Sequence, residues 1–217
     1  MNASTHRTPD WRTPTVVLVC GGIILTLAMG IRHGFGLFLQ PISHDMGWGR
    51  ETFALAIAVQ NLVWGVTQPF VGMMADKHGS ARVVLVGAAL YAVGLVTMAH
   101  VHTPWLFVLT SGVLIGTGLS GVTFSVISGV LGRRFPPEKR SMALGISAAA
   151  GSFGQFAMLP LSQWLLATVG WYGALLAMAC VALMIVPLAA ALVERRESHV
   201  HAFKQSAGQA MTEALGH

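Results

Sequence analysis

The stretch SMALGISAAAGSFGQFAMLPLSQWLLATVGWYGALLAMACVALMIVPLAAALV, residues 141–193, carries no Asp, Glu, Lys or Arg over 53 positions. A membrane-spanning helix needs about 20 apolar residues. The run is therefore too long for one span and long enough for two. Its break is visible at Thr168-Val169-Gly170-Trp171-Tyr172. Glycine fits a boundary, and Trp and Tyr fit a membrane–water interface.

The same test works outward from this run. Residues 83–132 give 50 uncharged positions, interrupted at His100-Val101-His102-Thr103-Pro104 beside Trp105. Residues 13–31 and 52–75 give 19 and 24 more. These runs predict helices near 15–39, 51–75, 82–101, 105–132, 140–167 and 171–193. The expected fold class is an all-α membrane protein of six transmembrane helices. Residues 1–14 read as an N-terminal segment, 15–193 as the bundle and 194–217 as a polar tail. Within the tail, 207–215 has the pattern of a short amphipathic helix. The first run is too long for the usual 7–15-residue core of a signal peptide.

Composition agrees. Of 217 residues, 54% are hydrophobic and 10% charged, with a mean hydropathy of +0.66. A soluble domain carries roughly 25% charged residues, and a disordered chain needs low hydrophobicity with high charge. Net charge is +5. In a soluble protein that would raise nucleic acid as a partner. Here it follows from the retention of Lys and Arg in cytoplasmic loops, and no nucleic-acid partner is expected. Arg7, Arg12, Lys77, Arg82, Arg133, Arg134, Lys139, Arg140, Arg195, Arg196 and Lys204 fall on one side of the expected bundle. Arg50 alone falls on the other, with Arg32 inside the first span. This bias places both termini in the cytoplasm. The setting expected is a cell membrane, by default a bacterial inner membrane. Cys20 and Cys180 lie inside apolar runs and suggest no disulfide framework.

The loop after the second helix reads Gly72-Met73-Met74-Ala75-Asp76-Lys77-His78-Gly79-Ser80-Ala81-Arg82. Gly79 permits a tight turn, Gly72 a close helix approach, and Asp76 is a carboxylate at the membrane edge. The next loop on that side, Gly132-Arg133-Arg134-Phe135-Pro136-Pro137-Glu138-Lys139-Arg140, supplies cations to pair with Asp76. Together these resemble the signature loops of the major facilitator superfamily. Ser80 departs from the pattern, which usually has a basic residue there. The segment Gly30–Pro41, with Met46-Gly47-Trp48-Gly49-Arg50-Glu51 after it, resembles the monocarboxylate and oxalate–formate porter branch.

The resemblance implies twelve helices in two six-helix halves, each of two inverted three-helix repeats. This chain matches the first half, and its tail resembles the central cytoplasmic loop. It implies a substrate site between the halves near the bilayer midplane and alternating access by rocking. A second half, from the same or another chain, is then needed to complete the site. Gly72, Asp76, Lys77, Gly79, Arg82, Arg133, Arg134 and Arg140 become candidate gating residues.

Arg32 is the leading candidate for substrate. A charge at the centre of a span costs about 2.5–3.5 kcal/mol, so it marks function by default. Guanidinium grips a carboxylate through parallel hydrogen bonds. Arg32 is expected in the outer part of helix 1, and in the porters resembled a basic residue in this part of helix 1 is linked to anion binding. The alternative is snorkelling to the outer interface. His33 adjoins it and is a candidate proton relay, a role open to histidine as a residue type, or a plain pore-mouth or interface histidine. Asn61 and Gln155 line a wet cavity or glue helices together. Gln60, Trp64 and Gln68 recur every four residues beside Asn61. The superfamily often carries an Arg where Gly112 stands here, so proton coupling through such a group is not expected.

The function expected is secondary transport of a small organic anion, a monocarboxylate first. The alternatives are efflux of a drug or other metabolite, or a non-transporting half that needs a partner. Gly118-Leu119-Ser120-Gly121 matches the nucleophile motif of rhomboid proteases, but a serine nucleophile needs a histidine base. Helices 4, 5 and 6 have none, so an enzyme is not expected. The pairs His100/His102 and His199/His201 are too few to close a metal site. No cofactor or metal is expected.

Overall fold

The computed structural model describes residues 11–193 of the chain. Five helices among them are long and apolar enough to cross a membrane. They are α1 (Pro14–Met46), α2 (Arg50–His78), α3 (Ser80–His100), α4 (Pro104–Arg134) and α5 (Pro137–Leu192). No strand occurs among the described residues. The expected N-terminal segment lies outside them up to residue 10. So do the tail 194–217, Arg7, Arg195, Arg196, Lys204 and the His199/His201 pair.

Local chemistry sets the helix ends. Thr13 caps α1, its Oγ1 accepting from the Val16 N–H at 3.3 Å, and Pro14 follows at the first helical position. Gly47, at φ 65°, closes the helix in the left-handed conformation. Gly79 turns α2 into α3 at φ 94°, ψ 136°, a backbone that glycine adopts without strain. The expected end of the first helix at 39 is too early. α1 continues through Pro41 to Met46, because Phe38 and Ile42 stay buried and hold the helix past the proline. Arg32 therefore lies near the middle of α1 rather than in its outer part.

α5 is interrupted at Gly170, where φ 70° and ψ 177° are non-helical and two helical arms meet, 137–169 and 171–192. Hydrogen bonds fix the ends of the second arm. Near its start, Trp171 Nε1 donates to Asp45 Oδ2 (2.8 Å), and Tyr172 OH meets His100 Nε2 (2.9 Å). Beyond its end, Val193 O accepts from Arg134 Nη2 (3.3 Å). Asp45 and His100 sit at the C-terminal ends of α1 and α3, and Arg134 ends α4.

Small residues set the packing. On α1, Gly30 faces Met158 and Gly154, and Gly34 faces Ser162. Thr26 Oγ1 donates to Ala150 O at 2.8 Å. Positions rise together on the two helices, so α1 and the first arm of α5 run parallel. α3 and α4 cross through Gly87, Gly118 and Gly121, where added Cβ atoms would lie about 3 Å from the opposing backbone. α2 runs parallel to α4: Gln60 Nε2 donates to Ser111 O (2.9 Å), and Ser120 Oγ to Trp64 O (3.2 Å). The core these contacts enclose includes Ile24, Leu25, Tyr91, Leu95, Ile115, Leu119, Ile127 and Leu175.

α4 departs from regular helix over Val108–Leu114, which is π-helical. Thr110 Oγ1 and Ser111 Oγ bond back to the carbonyls of Leu106 and Phe107. Such back-bonding bends helices. Large apolar side chains on the outer faces of α2 and α5 are exposed, among them Leu62, Phe70, Phe153 and Phe156. Faces of this kind suit lipid or another apolar surface.

Candidate functional site

Gly30 and Gly34 hold α1 against α5. Arg32, two residues from each, therefore projects from the opposite side of α1, since a helix turns 100° per residue. That side meets α2. Arg32 is half-buried, and its Nη2 donates to Asn61 Oδ1. Its Cζ lies 4.6 Å from the centroid of the Trp64 ring, a cation–π arrangement. Asn61 and Trp64, three apart on α2, share the face that meets it.

The groups around the guanidinium are neutral. One ion pair is found among the described residues, Arg133 with Asp76, and it is far from Arg32. Arg32 Nε and Trp64 Nε1 are both buried without a hydrogen-bond partner. A buried donor without a partner costs about 1–3 kcal/mol, more when charged. Among the described residues, the acceptor that meets this cluster of donors is the Asn61 amide oxygen. One turn away, the fully buried Tyr91 hydroxyl reaches Ala28 O at 3.4 Å.

The other candidates separate. His33 is exposed. Gln155 is half-buried on α5 and does not bond to the Arg32 group. Its neighbour Gly154 makes the contact with α1. Gln60 and Gln68 are committed to α4, Gln60 through Ser111 O and Gln68 through Thr123 and Ser125 at 3.4 Å. Trp64 appears in the sequence only as one step of a four-residue period, and the structure places it under Arg32. An interior tryptophan three residues from an asparagine was the available signal.

On the opposite face, Arg133 Nη1 sits 3.1 Å from Asp76 Oδ1, and Arg133 Nη2 donates to Ser80 Oγ at 3.0 Å. Ser80, the departure from the loop pattern, thus shares the arginine that holds Asp76. Arg134 turns instead to the Val193 carbonyl, while Lys77, Arg82 and Arg140 are exposed. A side chain at Gly72 would meet nothing within 4 Å. Any close approach Gly72 permits is therefore to something other than the described residues.

Two further features do not join the Arg32 group. A cavity of about 1080 Å³ opens near the C-terminal end of α1, lined in part by Gln40, Ser43, His44, Arg50 and Gln163. Ser120 is buried against Thr67 Oγ1 and the Trp64 and Gly116 carbonyls, with no histidine beside it. Among the described residues no three His, Cys, Asp or Glu gather to hold a metal. His100 is bonded to Val96 O and Tyr172.

Comparison with known proteins gives the class. The family model of the Major Facilitator Superfamily matches residues 18–216, and the chain belongs to that family. Monocarboxylate transporter 11 of Mus musculus is 30% identical over 191 residues, covering 85% of this chain and 41% of that protein. The oxalate:formate antiporter of Oxalobacter formigenes is 26% identical over 154 residues, covering 70% of this chain and 36% of its own length. The crystal structure of the POT family transporter PepTSo superposes with a TM-score of 0.66 at 16% identity. That match covers 95% of this chain and 46% of PepTSo. The relatives are transporters, not enzymes. This chain spans about two fifths of the length of the first monocarboxylate transporters it matches. It is a multi-pass membrane protein of a transporter family, in contact with lipid.

Proposed function

We propose that the chain is the N-terminal half of a secondary transporter that moves a small organic anion, a monocarboxylate first, by alternating access. The observation that carries this is Arg32. It is a cation in mid-helix, paired only with a neutral amide and an aromatic face, with one buried N–H left over. A charge in that position needs an anion, and among the described residues the chain supplies none. The printed functions of the relatives point to the same substrate class.

This reading takes the bundle as six spans, arranged as two inverted three-helix repeats. A continuous helix of 47 residues would be about 70 Å long at 1.5 Å per residue, against a hydrocarbon core of about 30 Å. The break at Gly170, and the bonds from 171–172 to one end of the bundle and from 193 to the other, support two crossings by α5. With six spans, the basic loops and both termini share the cytoplasmic side of a cell membrane, taken to be a bacterial inner membrane. The exposed apolar faces of α2 and α5 then meet lipid and a companion six-helix half. The loop residues Asp76 and Arg133, with Gly72, Lys77, Gly79, Arg82, Arg134 and Arg140 around them, gate the rocking of the halves.

Counterflow tests the substrate class. Protein purified from its own membrane and reconstituted in vesicles should accumulate labelled formate, lactate or oxalate against the unlabelled anion. Accumulation of a lipophilic cation instead, with no anion exchanged, would move the assignment to drug efflux.

A further inference from the structure

We propose that Trp64 is a second substrate-binding residue, and that its indole N–H donates to an oxygen of the carboxylate gripped by Arg32. The inference rests on the anion reading above and adds a residue to that site. Its basis is the pairing of two orphaned donors on one contact. The Arg32 guanidinium lies over the Trp64 ring, 4.6 Å from Cζ to centroid. Both Arg32 Nε and Trp64 Nε1 are buried with no partner. Tryptophan N–H usually finds a partner when buried, because the indole has one donor and no acceptor. Trp64 is far from the helix ends, so an interfacial role does not explain it.

The chemistry that satisfies both donors at once is an acceptor with two oxygens and negative charge. Asn61 Oδ1 accepts from Nη2, and the Nε–H remains without a partner. A carboxylate there takes one hydrogen bond from Arg32 Nε and one from Trp64 Nε1. A cation is repelled by Arg32, and a neutral amide oxygen, although it can accept from two donors, leaves the charge of Arg32 uncompensated. The ring face and the ring edge have separate tasks. The face holds the arginine in place, and the N–H reads the anion.

Two replacements separate these tasks. Trp64→Phe keeps an aromatic face under Arg32 and removes the N–H. Replacing Trp64 with benzothienylalanine keeps the two-ring shape and removes only the N–H. In vesicles loaded with unlabelled lactate, each should raise the KM for labelled lactate roughly ten- to hundredfold, the range of one hydrogen bond to a charged group. The maximal exchange rate should stay near that of the wild type. In indole-¹⁵N-labelled protein, the resonance absent from Trp64→Phe should move when lactate is added, and should stay still in Arg32→Gln. If the wild type exchanges lactate and both replacements keep its KM, the role of Trp64 is overturned and the anion reading stands. If the wild type binds and exchanges none of lactate, formate or oxalate, and the indole resonance does not move, the anion reading fails and this inference fails with it.

Discussion

Replacing Gly154 with alanine should destabilise the bundle, while the same change at Gly145, about two and a half turns earlier on the same arm of α5, should stabilise it. At Gly154 an added Cβ would lie 2.5 Å from Thr26 Cα and 2.6 Å from its carbonyl carbon, and closer still to the carbonyl oxygen. These are backbone atoms, so the helices must separate by about 1 Å, an overpacking that costs about 1–3 kcal/mol. The separation also stretches the bond from Thr26 Oγ1 to Ala150 O, now 2.8 Å, past hydrogen-bond range. Interhelical bonds of this kind contribute about 0.6 kcal/mol, with a maximum near 1.7. The gain in helix propensity from glycine to alanine offsets about 1 kcal/mol. The net loss is about 1–3 kcal/mol. At Gly145 nothing lies within 4 Å, so only the propensity gain remains. Unfolding in detergent, followed by circular dichroism, should move the two variants in opposite directions from the wild type. Equal stability of the two would refute the claim that α1 and α5 meet through a glycine seam. That seam also aims Arg32, because it fixes which side of α1 faces α2.

Gly170→Ala should cost about 1–3 kcal/mol in the same assay, since φ 70°, ψ 177° is a region open essentially to glycine alone. A variant as stable as the wild type would mean that α5 does not turn there. Asp76→Asn should change stability by less than about 1 kcal/mol, because the pair it breaks is exposed, with side chains 71% and 44% accessible. It should still slow counterflow if the loop gates the transporter. Unchanged exchange rates would remove Asp76 from that role. Gln60→Leu should cost about 1 kcal/mol by freeing the Ser111 carbonyl in the π-helical turn. A neutral result there would show that the π-helical turn does not need the bond.

Much of the bundle is readable in the sequence because breaks are marked by chemistry. Gly79 and Gly170 stand where the backbone turns to positive φ, and Pro104, Pro136 and Pro137 stand at helix starts. Helix ends are less readable. Ser43, His44 and Asp45 look like a loop, yet they continue α1 because buried Phe38 and Ile42 hold it past Pro41. The π-helical segment Val108–Leu114 has no residue-type signature. Of the candidate site, Arg32 announces itself as a charge in an apolar run, and Asn61 as an amide on a polar face. Which amides line the site is a matter of partners. Gln60 and Asn61 are adjacent in sequence, yet one bonds to α4 and the other to Arg32. Trp64 is hidden because tryptophan in a membrane protein ordinarily marks the interface.

The central claim is that Arg32 holds the transported anion. The direct measurement is the affinity of the purified protein for labelled lactate, formate and oxalate, compared between wild type and Arg32→Gln. The glutamine removes the charge and keeps a partner for Asn61, and it should leave the protein at least as stable, since a mid-span cation is lost. Loss of the charge-assisted hydrogen bond from Arg32 Nε, at about 1.5–3 kcal/mol, predicts a fall in affinity on the order of tenfold to a hundredfold. An Arg32→Gln protein that binds the same anion within a factor of two of the wild type would contradict the account.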